Sequence, residues 1–221
     1  MKLYSFAVSP YAARARIAIY AKKLQVEIVE PQFGGLKSPE YLALNPMGKV
    51  PLLVLDDGGA IPESETIVEY LEDAFPDPAL RPNGAEAAAR VRLIARVAEL
   101  YVKAPIFALF SQLDPKGGRD EAAVEAGIAK LDDGIRYLET FMPEGPYAAG
   151  DRFTTADCEV TPVCFFLNVV LSGLDRLDLM EKHPRLGAYI SNAKQDPVLA
   201  KVLGEMAEGL RAFRAVQAAP A

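Results

Sequence analysis

Cysteine is scarce in this sequence: Cys158 and Cys164 are the only two, six residues apart in one apolar run. That spacing fits neither a zinc site nor the disulfide framework of a small secreted protein. A reducing, cytoplasmic setting is expected, with both thiols as small buried apolar groups. Histidine is scarcer still. His183 stands alone before Pro184 at an expected helix start, where it reads as a cap or loop residue and not as a base. The carboxylates form no motif for paired acid–base work, no Gly-rich phosphate loop or internal repeat occurs, and no metal is called for. Basic residues are dispersed and outnumbered, with a net charge of −6 and a pI near 5.0, which argues against nucleic acid as a partner. The start of the chain lacks a signal-peptide pattern. No apolar run is expected to reach membrane-spanning length, so no membrane partner is expected.

Apolar residues are what the sequence does hold, 51% of 221 with 24% charged, enough for one large or two modest domains. Residues 2–6 read as a strand. Ser9-Pro10 then sets an N-cap before a proline at the first helical position, opening a helix over 10–24. Its Ala13, Ile17, Tyr20 and Leu24 recur at helical spacing, with Arg14, Arg16, Lys22 and Lys23 turned to solvent or to a neighbour's cap. Residues 25–29 read as a second strand, completing a βαβ unit with parallel neighbours. A short helix from Ser38 ends at Asn45-Pro46, and segments 52–55 and 59–62 bracket Asp56-Asp57-Gly58 as an antiparallel hairpin. A helix over 66–75, apolar at Ile67, Val68, Leu71 and Phe75, closes the order βαβαββα. The expectation is an α/β domain over 1–76 with a mixed four-stranded sheet, then a proline-marked linker over 77–84. From 85 to 221 only helices are expected, over 85–113, 121–142, 154–171, 184–193 and 197–213, with a frayed tail after 214.

Two stretches stand out. In Phe153-Thr154-Thr155-Ala156-Asp157, Thr154 can cap the helix while Asp157 bonds back, and Phe153 can staple onto Cys158. The helix that follows is apolar on nearly every side, so this motif reads as folding and not chemistry. The second stretch is 45–64. Pro51 stands between Val50 and an apolar run, where a proline would remove a ladder donor. A cis Val50-Pro51 bond would aim the Val50 peptide groups at a ligand instead of a neighbouring strand, an edge that suits a peptide-like molecule. Glu63-Ser64 opens the next helix, gathering a hydroxyl and free N–H groups where the dipole favours anions. Together they read as a site for a carboxylate-bearing peptide.

The frame S-P-Y-A-A-R-A-R-I over 9–17, the block over 45–53, Glu63-Ser64 with its helix, and G-D-R-F-T-T-A-D over 150–157 occur in this order and spacing. The set resembles the cytosolic glutathione transferases over almost the whole chain. The resemblance implies a thioredoxin-like N-terminal domain, an all-α C-terminal domain, glutathione as co-substrate, and a homodimer in which the first domain of one subunit faces the second domain of the other. It implies that Val50, beside cis Pro51, pairs its backbone with the cysteinyl part of glutathione. Glu63 and Ser64 would hold the γ-glutamyl ammonium and carboxylate, and Lys49 and Lys37 would approach the glycine carboxylate. For Lys37 a solvated loop lysine fits equally. Ser9 is the catalytic candidate: its hydroxyl would donate to the glutathione sulfur and, with the helix N-terminus, lower the thiol pKa, without itself being the nucleophile. Tyr4, on the strand where tyrosine-using members carry theirs, is the rival, and Tyr11 reads as a wall of the site.

The N-terminal frame is most similar to omega-type and related bacterial members, but omega-type members carry cysteine where this chain has Ser9. Serine cannot form the mixed disulfide that thiol exchange requires, which favours addition or substitution at an electrophilic carbon. Zeta-type isomerases share the R-x-R-I continuation, yet their second serine and cysteine correspond to Pro10 and Tyr11 here. The second substrate is expected to be small and apolar, in a pocket of Tyr11, Tyr101, Pro105, Phe107 and Phe110, with Phe165 and Phe166 as core. Tyr101 and Phe107 fit a core role equally. The leading expectation is a glutathione transferase. The alternatives are a non-catalytic binding or scaffold protein of the same fold, a thiol reductase, or an isomerase.

Overall fold

Three-residue strands make the sheet of the first unit: β1 (Lys2–Tyr4), β2 (Glu27–Val29), β3 (Leu52–Val54) and β4 (Ala60–Pro62), in a computed structural model that describes residues 1–31, 35–113 and 118–218. Their order is β2-β1-β3-β4, with β1 parallel to β2 and antiparallel to β3, and β3 antiparallel to β4. The expected βαβ unit and hairpin are both present, in shorter form. β1 ends early because the chain already turns at Phe6, whose carbonyl accepts the Ser9 N–H at 3.0 Å.

Three helices of this unit follow the sequence order: α1 (Pro10–Ala21), α2 (Pro39–Leu44) and α3 (Ser64–Ala74). Ser9 caps α1, its Oγ accepting the Ala12 N–H at 3.2 Å. The helix stops short of Leu24 because Lys23 takes a left-handed φ of 55°. α1 is not amphipathic in the way its apolar spacing suggests. It packs on α3 and on the last helix, α9 (Pro197–Ala218), and Arg14, Arg16 and Lys22 are buried, with Lys22 taking the neighbour's-cap placement at Phe75, the C-cap of α3. Lys22 shows why a buried cation is tolerated: its Nζ meets Glu72 Oε2 at 2.6 Å and donates to the carbonyls of Phe75 at 2.7 Å and Pro78 at 2.9 Å. Glu72 in turn accepts the Leu80 N–H. The first half of the expected linker is thereby tied down, and the first compact unit runs from Met1 to Leu80 and includes α9, which sequence reading had grouped with the helical domain.

The second unit, Arg81–Asp196, is helical. α4 (Ala85–Val97), a π-helical segment (Ala98–Lys103), α5 (Ala104–Leu109) and a 3-10 turn (Phe110–Leu113) make the continuous run expected over 85–113. α6 (Glu121–Phe141), α7 (Thr155–Gly173) and α8 (Pro184–Ala193) follow, with an additional 3-10 turn at Leu177–Lys182. α7 corrects one expectation, since it is 19 residues of mean hydropathy 1.3, long and apolar enough by length and composition to cross a membrane. Its most apolar window is 72% buried within the protein, and α4, α5, α8 and the π segment pack on it. It is the core helix of this unit.

The capping box at its start is formed: Asp157 Oδ2 accepts the Thr154 N–H at 2.8 Å, and Oδ1 accepts the Ala148 N–H at 2.8 Å. Phe153 packs edge-on against Tyr147. Burial pushes the Asp157 carboxyl up from 3.8 to about 6, desolvation outweighing these donors. Between those two values the folded protein holds a proton that the unfolded chain has released. This group's contribution to stability therefore falls as pH rises through that window. His183 is buried at the start of α8 with Nε2 2.8 Å from Asp132 Oδ1 and Nδ1 3.4 Å from Glu139 Oε2, so its work is to join α8 to α6.

Pro105 lacks the N–H that would close an α-helical bond to the Tyr101 carbonyl. That carbonyl faces α6 at Gly134, where an added Cβ would overlap its oxygen. Backbone meets backbone here, so no side chain can yield. Gly134→Ala is expected to destabilise by about 3 kcal/mol or more through overpacking. Gly187→Ala on α8, where a Cβ meets nothing within 4 Å, is expected to stabilise by about 0.5–1 kcal/mol. Urea unfolding of the two variants checks the contrast.

Candidate functional site

Strand register decides which candidate residues meet. Tyr4 lies beside Val29 and opposite Leu52, and Leu52 lies opposite Pro62. Because β3 runs against β1 and β4, the chain leaves β1 towards Ser9, enters β3 from Val50-Pro51 and leaves β4 towards Glu63-Ser64, all at one end of the sheet. β2 also ends there, on the way to Lys37. The N-termini of α1 and α3 open at that same end, bringing two positive helix poles together.

Ser9 is partly buried, at φ −67° and ψ 122°. Its oxygen accepts from Ala12, yet among the described residues no acceptor takes its hydroxyl proton. The first turn of α1 carries no acidic side chain to offset the pole. The rival Tyr4 is buried in a cluster with Tyr41 and Leu52, its ring edge-on to Tyr41 at 5.7 Å. Tyr11 is partly exposed at the second residue of α1.

Val50-Pro51 is cis, and the pairing of β3 stops at Leu52 on both sides, so the Val50 peptide stands outside the sheet. The loop that carries it is held by residues that sequence reading did not single out. The Lys49 carbonyl accepts from Tyr41 Oη and from Asn45 Nδ2, each at 2.8 Å, while Asn45 Oδ1 accepts the Met47 N–H at 3.1 Å. Asn45 is 1% exposed. Burial pushes the Tyr41 phenol up to about 12, keeping it a donor. The Asn-Pro-Met-Gly turn pattern was the available signal. Gly48 completes the turn at φ +58°, with the Leu36 carbonyl and Lys37 Nζ inside 3 Å of any added Cβ. Lys37 Nζ donates to the Met47 carbonyl at 3.1 Å, so this lysine braces the loop, while Lys49 extends into solvent.

α3 begins at Ser64, two residues before the expected start, with Ser64 3% exposed in its first turn. Glu63 holds a left-handed φ of 67°, and its exposed carboxylate makes no capping bond to the helix it precedes. Such a conformation costs on the order of 1–3 kcal/mol in a non-glycine residue. The first N–H groups of α3 consequently remain open to an anion.

The expected apolar pocket is divided. Within the second unit, Tyr101 and Pro105 line one groove of about 490 Å³ with Leu100, Ala104 and Tyr137. Phe107 and Phe110 lie elsewhere, packed against Phe166 at centroid distances of 6.3 and 5.5 Å, the first tilted and the second edge-on. Helical arithmetic explains the split, since i and i+4 share a face while i+6 and i+9 fall on the opposite one. Tyr11 belongs to the first unit. Phe166 is buried as expected, with the half-buried Phe165 edge-on to it at 5.2 Å.

The sequence pattern of the glutathione S-transferase N-terminal domain matches residues 3–79, and that of the C-terminal domain matches 121–191. The chain belongs to the glutathione S-transferase family. Glutathione S-transferase 2 of Saccharomyces cerevisiae is 32% identical over 213 residues, covering 92% of this chain and 89% of that protein. The maleylacetoacetate isomerase of Pseudomonas aeruginosa is 31% identical over 83% of this chain and 92% of its own. Among solved structures, a glutathione S-transferase of Methylobacillus flagellatus crystallised with GSH bound superposes with a TM-score of 0.75 at 26% identity. That match covers 91% of this chain and 98% of the other. The family fold is the one expected from the sequence, a thioredoxin-like domain with a four-stranded mixed sheet and a helical domain.

The loop anchor gives a testable result. Asn45→Ala removes the two hydrogen bonds of a buried side chain, to the Lys49 carbonyl and from the Met47 N–H, so unfolding free energy in urea is expected to fall by about 1–3 kcal/mol.

Proposed function

We propose that this protein is a glutathione transferase in which Ser9 activates the glutathione thiol for attack on a small apolar electrophile. The observation that carries this reading is the unspent Ser9 hydroxyl at the positive pole of α1, at the same sheet end as the Val50 peptide and the open start of α3. Glutathione lies extended along Val50, its cysteinyl N–H and C=O paired with that peptide. The γ-glutamyl carboxylate takes the α3 N–H groups and Ser64, and Glu63 takes the ammonium. Lys49 faces the glycine carboxylate, with Lys37 bracing the loop beneath it. The Ser9 O–H donates to the sulfur, stabilising thiolate over thiol. The thiolate then forms a C–S bond at the electrophilic carbon, and the leaving group departs or, for an addition, the carbanion is protonated.

Thiol-reductase chemistry is disfavoured because both cysteines lie buried on α7, where desolvation pushes the Cys164 thiol far up. The isomerase relative keeps glutathione-assisted isomerisation as the second reading, against which Pro10 and Tyr11 stand at its motif. A cytoplasmic homodimer and an apolar electrophile site reached from the second unit complete the proposal, with one glutathione per subunit and no metal.

Ultraviolet titration of bound glutathione tests it. Thiolate is expected well below the free-thiol pKa of about 8.5, and Ser9→Ala is expected to raise that transition and lower kcat by roughly 10²–10³. Tyr4→Phe is expected to leave both unchanged. Absence of thiolate below pH 8, or full turnover in Ser9→Ala, overturns the assignment.

A further inference from the structure

The loop over 7–9 that delivers Ser9 is gripped by α9, a helix with no residue among the candidates. Leu199, Val202 and Met206 are wholly buried along one stripe of α9, and Gly209 continues that stripe by three residues. At Gly209 an added Cβ would stand 2.6 Å from the Val8 nitrogen and 2.9 Å from the Ala7 Cβ. The helix backbone is thus in contact with the loop backbone one residue before Ser9. A second connection runs through charge. Arg16, 3% exposed, donates from Nη2 to the Ala7 carbonyl at 2.7 Å. Its Nε faces Glu205 Oε2 of α9 at 3.4 Å, without hydrogen-bonding geometry. Glu205 is held in turn, its Oε1 accepting the Tyr20 hydroxyl at 2.9 Å, with Lys201 Nζ 3.6 Å over the Tyr20 ring.

We infer that Glu205 is a positioning residue for Ser9: acting through Arg16 on the Ala7 carbonyl, and backed by Gly209 against Val8, α9 fixes where the Ser9 hydroxyl sits. This inference rests on the proposed role of Ser9 and adds the part of the chain that sets its geometry. The physical logic is that a buried guanidinium needs its counter-charge. Desolvation lowers the Arg16 pKa while Glu205 opposes it. With the carboxylate removed, the guanidinium draws towards water or other acceptors and loosens its hold on Ala7. None of this touches Val50, Glu63 or Ser64, so hold on the ligand and placement of its sulfur are separable.

The test uses the full chain carrying Glu205→Gln, Tyr20→Phe or Gly209→Ala. Three quantities are read: glutathione affinity, the thiolate titration of bound glutathione, and kcat against KM with an activated aryl halide. Glu205→Gln and Gly209→Ala are expected to raise the bound-thiol transition and to lower kcat by about ten- to a hundredfold, as displacement of a catalytic group by a fraction of an ångström to one ångström does. Tyr20→Phe is expected to do so more weakly, and glutathione affinity is expected to stay within about twofold in all three. Glu205→Asp is expected to restore part of the loss. Amide exchange at Ala7 to Ser9 is expected to accelerate in Glu205→Gln. If Gly209→Ala does not fold, the Glu205 and Tyr20 variants carry the test. Glu205→Gln that melts earlier yet keeps wild-type thiolate and kcat overturns the inference, leaving Ser9 intact. Accelerated exchange at 7–9, together with a Ser9→Ala protein of unchanged thiolate, overturns the Ser9 reading while the clamp itself stands.

Discussion

The register that sets Tyr4 opposite Leu52 and Leu52 opposite Pro62 is the constraint on which the site depends. A slip of one residue between β1 and β3 would move Val50 by about 3.3 Å relative to Ser9 and turn Leu52 away from the Tyr4–Tyr41 cluster. Strands of three residues have few ladder bonds with which to resist such a slip. The register is held from both sides instead. On one face Tyr4, Tyr41 and Leu52 interlock. Between β3 and β4 the turn is pinned by Gly58 at φ +88°, by the Leu55 N–H on the Gly59 carbonyl at 2.8 Å, and by Asp57 Oδ1 on the Gly59 N–H at 2.9 Å.

Buried charge carries the connections that apolar packing leaves loose. Lys22 with Glu72 holds the segment after α3, Arg16 with Glu205 holds the segment before α1, and Lys103 with Glu159 joins the π segment to α7 at 2.9 Å. In the first two pairs the cation also takes backbone carbonyls of an irregular segment. A hydrophobic pair of equal volume could match such a bridge in stability. It could not satisfy the carbonyls of Phe75, Pro78 and Ala7, which would otherwise be desolvated in irregular chain with no helical partner. These first two ion pairs therefore appear where the chain leaves regular structure, at α1 and α3, whose N-termini open at the candidate site.

The sequence was most legible where one residue has one physical use. Ser9-Pro10 announced a capped helix, Thr154 with Asp157 a capping box, Asp56-Asp57-Gly58 a hairpin, and Pro51 a chain that must leave the ladder, and each stands in the structure. It was least legible where identity depends on a distant segment. Arg14, Arg16 and Lys22 read as turned to solvent or to a neighbour's cap; Lys22 does reach the carbonyl of Phe75 at the end of α3, but nothing local reveals that α3 and α9 pack on α1 and bury all three. The packing of α9 with the first compact unit is hidden for the same reason, as its apolar stripe does not say which unit it will cover. Asn45 was passed over because a buried asparagine and a turn asparagine look alike until the Lys49 carbonyl is found above it.

The division of labour within the site follows from which atoms do the work. The proposed cradle is built largely of peptide groups: the Val50 edge, the N–H groups at the start of α3, and a loop whose shape is set by Asn45, Tyr41 and Gly48. Peptide groups recognise the backbone and carboxylates of a peptide ligand without demanding particular side chains around them. In the proposed mechanism chemistry, by contrast, hangs on the single hydroxyl of Ser9. On that proposal, a shift of the hydroxyl would leave the peptide cradle in place while removing the hydrogen bond that favours thiolate over thiol. One fold supports relatives named for transfer and for isomerisation, and in the proposed mechanism it is the first turn of α1 that decides what the bound sulfur does.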